Sequence, residues 1–401
     1  MGFLRLAGAC GLAAGALALA AFASLFALAN VARNANPALV NSVADDPLAP
    51  LLELHGQLSV NPGRILDQSV GPLALQSLTR EPLNPVALRM LAIQASARND
   101  PGRSARFASL SERITRRDLF TQLILIEQAV QRNSIPVALH HYDVALRTHE
   151  GAGNILFPIL GTAISNDAIR EALVPFVRSH AAWIPSFVQF AASEANAPQT
   201  TRLLLAAGPA RWPSLVRQNA PALLTALVNQ RQFALAEQLL LQLPGTPPGV
   251  LRQIDFSPQT TNEVLGPFAW SAVNGGSLGA SFEASSEGRS VAHLFATPGA
   301  RGVVLRRVLS LAPGAYRHSE ARSLGAGDAS SRAFWEMKCL GGQTSEVIWR
   351  GPADQASYRA TRIAGPIIPI GCTEQVLELT AVGGDGDQGL DLTIGSFILE
   401  R

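Results

Sequence analysis

The sequence predicts a multi-domain α plus β chain with an N-terminal transmembrane helix, an α-helical repeat region and a C-terminal antiparallel β-sandwich. Three observations predict it. Leu6 to Ala29 runs without a charge, and a helix of that length rises roughly 36 Å, more than the about 30 Å of a hydrocarbon core. Between residues 84 and 243, apolar residues recur at helical spacing, with Asn, Asp and Pro at the breaks. Beyond residue 267, apolar and polar residues alternate along short stretches divided by glycine turns, the period of half-buried strands.

Composition narrows the function classes. The chain has 401 residues, 47% hydrophobic and 15% charged, which excludes a disordered chain of low hydrophobicity and high charge. Lys+Arg is 32 against Asp+Glu 30. A net charge of +2 does not predict a nucleic-acid partner, which would need a concentrated basic face. Lys338 is the only lysine, so the positive charge is carried by arginine.

Residues 1–32 read as a signal anchor, with membrane contact through residues 6–29. The alternative is a cleavable signal peptide cut near Ala29, because Ala27-Leu28-Ala29 supplies a small-x-small site. The first reading implies a single-pass inner-membrane protein with its bulk in the periplasm. The second implies a secreted or periplasmic chain. Residues 33–83 read as a tether with short helices, interrupted by Asp45-Asp46-Pro47 and Asn61-Pro62-Gly63.

The helical region, residues 84–243, opens at Asn84-Pro85, a capping side chain followed by proline at the first helical position. Asn99-Asp100-Pro101-Gly102 ends that helix. Further helices are expected from Ser104 to Arg117, Leu119 to Arg132 and Pro136 to Arg147, then Ile164 to Val177, Trp183 to Ser193, Gln199 to Ala207 and Pro221 to Gln230. Their short loops force antiparallel neighbours, and a hairpin spacing of about 35 residues is that of a helical solenoid. Ala138-x3-Tyr142-x2-Ala145 resembles the second helix of a tetratricopeptide repeat, and Phe233-Ala234-Leu235-Ala236 with Leu239 and Leu240 resembles a degenerate copy. The usual first-helix signature and closing proline are missing, so an irregular bundle is the alternative. The resemblance implies a protein partner on the helices. His140-His141 beside Asp143 is read as structural, because adjacent helical residues point about 100° apart.

Residues 244–266 read as a linker and 267–401 as the sandwich, with strands from Phe268 to Val273, Leu278 to Ala284, Val291 to Phe295, Gly302 to Ser310, Tyr316 to Arg322, Arg332 to Cys339, Glu346 to Arg350 and Tyr358 to Ile363, and two more around Leu377–Ala381 and Leu390–Ile394. The layout, from Pro267-Phe268-Ala269-Trp270 through Val303-Val304-Leu305 to Leu311-Ala312-Pro313-Gly314-Ala315-Tyr316, resembles jelly-roll carbohydrate-binding modules. That resemblance implies a glycan ligand stacked on an aromatic ring, with Trp270, Trp349, Tyr316 and Tyr358 as candidates. Trp335 shares a strand face with Met337 and Cys339 and is expected in the core. Cys339 and Cys372 are expected to form a disulfide.

No catalytic constellation is found. Gly275-Gly276-Ser277-Leu278-Gly279 matches the nucleophile-elbow string, but a strand follows where a helix is required, so a hairpin turn is expected. Asp385, Asp387 and Asp391 form the one acidic loop that invites a calcium ion; a solvated turn is the favoured reading, and no cofactor is expected. As a whole the chain resembles uncharacterised bacterial envelope proteins with a tetratricopeptide-like region and a carbohydrate-binding-module-like jelly roll. The resulting expectation is a non-catalytic interaction scaffold of polysaccharide assembly or export. The alternatives are a polysaccharide-acting enzyme with an unrecognised carboxylate pair, and a self-assembling structural protein.

Overall fold

The structure is a computed structural model that describes residues 19–24, 27, 31–33, 35–43, 46, 48–60, 69–284, 289–341, 346–351 and 358–401. The expectation of a single-pass membrane protein is corrected here. No helix among the described residues is long and apolar enough to cross a membrane. Most of the apolar stretch from Leu6 to Ala29 lies outside the described residues. Contacts divide the chain into two compact units, Met1–Leu156 and Phe157–Arg401.

The first unit is helical: α1 Pro37–Val43, α2 Ala49–Val60, α3 Val70–Arg80, α4 Pro85–Ala97, α5 Pro101–Ile114, α6 Leu119–Gln131 and α7 Ile135–Thr148. Its starts follow the capping residues that the sequence supplies. Asn84 accepts from the Val86 and Ala87 amides, Asp100 from Arg103, and Asp118 from Thr121. Leu51, Val70, Ala74, Met90 and Leu91 form an apolar core. A polar seam runs beside it between α5, α6 and α7. There Gln128 donates to Ser104 at 3.0 Å, the Ser111 and Thr121 hydroxyls meet at 2.9 Å, and Gln122 Oε1 faces His141 Nδ1 at 2.9 Å. These pairings are the condition for burying such groups at low cost, although Gln128 Oε1 is buried without a hydrogen-bond partner. Arg89 reaches across to Asp118 at 2.6 Å.

The second unit opens with the helices α8 Ala152–Ala163, which begins before the division, α9 Asp167–Arg178, α10 Ile184–Ala191, α11 Ala197–Ala207, α12 Pro213–Asn229 and α13 Phe233–Gln242. The helix expected from Ile164 starts later, because Asn166 accepts from the Ala168 amide at 2.9 Å and caps α9. The helix expected from Pro221 starts earlier, at Pro213, and carries Pro221 inside it.

Four of the helical turns are the same object. After α4, α6, α9 and α12 the chain passes through Asn99, Asn133, His180 and Arg231, with φ of 58°, 52°, 57° and 57°. In each, the next amide returns to the helix: Asp100 to Ala95, Ser134 to Ala129, Ala181 to Phe176 and Gln232 to Leu227. The left-handed residue's own amide bonds Ser96, Val130, Val177 and Val228 respectively. This is the Schellman pairing that closes a helix and reverses the chain. We expect Asn133→Ala to cost about 1 kcal/mol and Asn133→Gly to cost nothing, because a Cβ in the left-handed region costs ~1–2 kcal/mol and asparagine less than alanine. Urea denaturation of the two variants checks it; equal midpoints for both would contradict the assignment.

Among the described residues the sandwich has ten strands in two five-stranded sheets. The first has the order β1-β4-β9-β6-β7, with β1 Ser271–Ala272, β4 Arg301–Leu309, β6 Arg332–Cys339, β7 Glu346–Arg350 and β9 Gln375–Val382. The second has the order β2-β3-β10-β5-β8, with β2 Leu278–Ala284, β3 Ser290–Ala296, β5 Gly314–Gly327, β8 Tyr358–Ile368 and β10 Leu390–Glu400. All described pairings are antiparallel. Leu294, Leu305, Trp335, Met337, Leu379, Leu392 and Ile394 fill the space between the sheets. Ile254 and Phe256, in the stretch read as a linker, are part of the same core. Arg307 ties that stretch down: its guanidinium donates to the Phe268 carbonyl at 2.8 Å and to the Val250 carbonyl at 2.6 Å. Burial lowers the Arg307 pKa to about 10, partly opposed by the charge of Asp255, so the group is charged at neutral pH.

Candidate functional site

The outer face of the second sheet is built from alternation along β2, β3 and β10. Ala292 and Leu294 point inward and are fully buried, so His293 and Phe295 point outward. Pairing places Gly279, Phe295 and Asp391 in one cross-strand row, and Ser281, His293, Thr393 and Ser323 in the next. Phe295 is 36% exposed. Its ring lies where a side chain on Gly279 would stand, since a Cβ there would approach Phe295 Cε1 to 2.9 Å. His293 Nε2 meets Asp391 Oδ1 at 3.0 Å, with both side chains partly exposed. The result is an aromatic ring on a floor of small residues, beside an imidazole–carboxylate pair and the hydroxyls of Ser281, Ser323 and Thr393.

The aromatic residues singled out from the sequence lie elsewhere. Trp270 is 4% exposed, and its indole donates to the Asp255 carbonyl at 2.8 Å. It offers no ring face to a ligand, and the expectation of stacking there is corrected. Tyr316 is half-buried against the core, with its hydroxyl donated to the Ala312 carbonyl at 3.0 Å. Trp349 packs partly buried on the core, edge-on to His318 at 5.4 Å between centroids. Tyr358 lies on β8, and its side chain is outside the described residues. Trp335 is fully buried, as its strand face implied.

The two loops that invited chemistry are turns. Gly275 donates to the Leu278 carbonyl at 3.0 Å, and Asn274 bridges Gly279, so the elbow string closes a hairpin into β2. The carboxylates of Asp385, Asp387 and Asp391, the weak calcium candidate, do not form a ligand group among the described residues. Asp391 is taken by His293. The loop instead folds on Asp328, whose Oδ1 accepts from the Ser330 and Ser331 amides at 2.9 Å each and whose Oδ2 accepts from Gly386 at 2.9 Å. Hydrogen bonds from Ser330 and Ser331, that of the Ser330 hydroxyl at 2.8 Å foremost, lower the Asp328 pKa to about 2.

A cleft of about 490 Å³ opens where α13 meets the rim of the sandwich, lined among others by Arg231, Phe233, Glu237, Arg252 and Glu374. Burial pushes the Glu374 carboxyl above its usual range; a hydrogen bond from Thr373 opposes this and the charge of Glu237 adds to it. The expected disulfide is present beside the cleft: Cys339 and Cys372 are bonded, with Cα atoms 5.7 Å apart.

Sequence reasoning missed three groups. Phe295 was detectable, because the in-out alternation of β3 sets it opposite Leu294. Asp328 and the Glu237–Glu374 pair were not, since each depends on segments that only the fold brings together.

No protein-family model matches this chain, and no curated protein matches it. Among solved structures, it is similar to the carbohydrate-binding module TmCBM61, determined in complex with beta-1,4-galactotriose. The TM-score is 0.24 and the identity 12%, and the match covers 37% of this chain and 99% of that one.

Proposed function

We propose that this protein binds a glycan on the outer face of the second sheet, with Phe295 as the stacking platform. The observation that carries the reading is the exposed Phe295 ring seated on Gly279 beside the His293–Asp391 pair. The apolar C–H face of a pyranose packs on such a ring, a contact worth about 1 kcal/mol beyond burial for ring pairs. The carboxylate of Asp391 and the neighbouring hydroxyls then bond the sugar hydroxyls and set orientation. The test is a glycan array with the full chain, followed by titration of the strongest ligand against Phe295→Ala and, as a comparison, Trp349→Ala. We expect about a tenfold loss for Phe295→Ala and little change for Trp349→Ala. Absence of binding to every glycan, or equal binding by Phe295→Ala, removes this reading.

One observation favours a second reading, in which the protein hydrolyses the glycan it holds. Two carboxylates, Glu237 and Glu374, line a single cleft, and Glu374 is held toward its protonated form. Glycoside hydrolysis uses two carboxyl groups, one of them an acid whose pKa is raised. Release of reducing ends from the bound glycan, lost in Glu374→Gln while binding is retained, would support it. The same assay giving no release from the unmodified chain would leave binding alone.

A further inference from the structure

We propose that Glu112, His140 and His141 form a binding site for a divalent transition-metal ion of the zinc type, tying α5 to α7 across the polar seam of the first unit. One donor atom from each of the three residues lies within 4.8 Å of the other two. His141 Nδ1 stands 3.4 Å from Glu112 Oε1. Ligand atoms of a tetrahedral zinc site, each about 2.1 Å from the metal, are roughly 3.4 Å apart, so this pair already has the required separation.

The sequence argued against the site, because neighbours on a helix diverge by about 100°. The rings nevertheless meet, with centroids 5.2 Å apart. His141 is buried on the seam while His140 is exposed. That exposure gives the His140 ring room to turn about its own side-chain bonds toward the ion. The buried ring is already aimed. Two acceptor oxygens, Glu112 Oε1 and Gln122 Oε1, face the same nitrogen, His141 Nδ1. In the Nδ1–H tautomer of the metal-free chain, the proton faces both oxygens. A cation replacing the proton meets the same lone pairs, and His140 supplies the further ligand. Gln122 Oε1 or a water completes four.

The donor set selects the class of ion. Two imidazoles and one carboxylate suit zinc, cobalt, nickel or copper, whereas calcium and magnesium require shells of oxygen. Arg132 is the opposing charge nearby, since its field acts on His141.

The test uses the full chain after chelator treatment and buffer exchange, titrated with zinc chloride and separately with calcium chloride by calorimetry. We expect one zinc per chain at micromolar or tighter affinity, no competition from calcium, and a rise in melting temperature with zinc. Cobalt should give the visible absorption of a tetrahedral site. His140→Ala removes an exposed ring, so it should leave the melting temperature of the metal-free chain unchanged while weakening zinc at least tenfold. Glu112→Gln should weaken it similarly. Zinc binding that persists undiminished in both variants places the ion elsewhere and overturns the proposal, as does a chain that takes up no zinc. His141→Ala is not used as the deciding variant because it opens the seam at Gln122.

Discussion

Arg322→Met is expected to destabilise the sandwich by about 3–5 kcal/mol, because it leaves a buried carboxylate without its countercharge. The side chains of Glu320 and Arg322 are both fully buried. Arg322 grips Glu320 with two bonds, Nε to Oε1 at 2.7 Å and Nη2 to Oε2 at 3.1 Å, and gives Nη1 to the Ala333 carbonyl at 2.7 Å. The Trp335 indole donates to Glu320 Oε1 at 3.0 Å, and His318 Nε2 lies 3.3 Å from Oε2. Burial alone pushes the Glu320 carboxyl upward, but His318, Arg322 and Trp335 together outweigh it and hold the carboxyl below its usual range. A carboxyl depressed in the folded state contributes stability above its unfolded pKa. That contribution is lost as pH falls through the folded value. Without Arg322 the depression weakens and burial dominates, so acid unfolding should move to higher pH. Replacing both partners, Glu320→Leu with Arg322→Met, should cost less than Arg322→Met alone, since no orphaned charge remains. Urea denaturation across pH on Arg322→Met, Glu320→Leu and the double variant decides the matter. A double variant as unstable as the sum of the singles would show that the charges stabilise by more than their mutual pairing.

The same strand shows why part of this fold could not be read beforehand. Strands β2, β6 and β7 begin and end where the sequence placed them. In β6 the inward residues are the bulky Trp335 and Met337, so alternation and burial agree. In β5 the inward residues are His318, Glu320 and Arg322, and the small Ser319 and Ala321 face outward. Alternation taken from hydropathy there inverts the two faces, and only the partners brought by β6 make the true register affordable. The helical turns divide in the same way. Asn99 and Asn133 announce a left-handed residue, because asparagine tolerates that region. His180 and Arg231 occupy the same position with no such preference, and the bonds back to Phe176 and Leu227 impose it. The candidate ligand face is not legible from residue type, which points to tryptophan and tyrosine rather than to Phe295. Tryptophan drew attention as the best stacking surface, yet its area is also the best reason for burial, and Trp270 finds its polar partner in the Asp255 carbonyl. Phenylalanine reads as core unless its strand neighbours are followed one residue at a time.

Reduction of the Cys339–Cys372 disulfide is expected to lower stability by about 3–4 kcal/mol, the chain-entropy value for a loop of this size, the two residues being 33 apart in sequence. Geometry sharpens the expectation. Cys339 ends β6 and pairs in register with Gln375 at the start of β9. Gln375 is fully buried, donates to the Cys372 carbonyl at 2.7 Å, and accepts from the Leu311 amide at 2.9 Å. The Leu340 amide bonds the Glu374 carbonyl at 2.9 Å. The covalent link therefore fixes the short segment that carries Glu374 into its cleft, while the Phe295 face stands on the other sheet. A Cys339→Ser, Cys372→Ser double variant should lose midpoint in urea to the same extent as the reduced parent. Reductant should then have no further effect on the variant. If the Phe295 face alone holds the glycan, affinity at a temperature where both forms remain folded should be unchanged by reduction. A fall in affinity would connect the Glu374 cleft to ligand binding. Identical urea midpoints for oxidised and reduced parent would mean that the hydrogen bonds of Gln375 hold the segment without the disulfide.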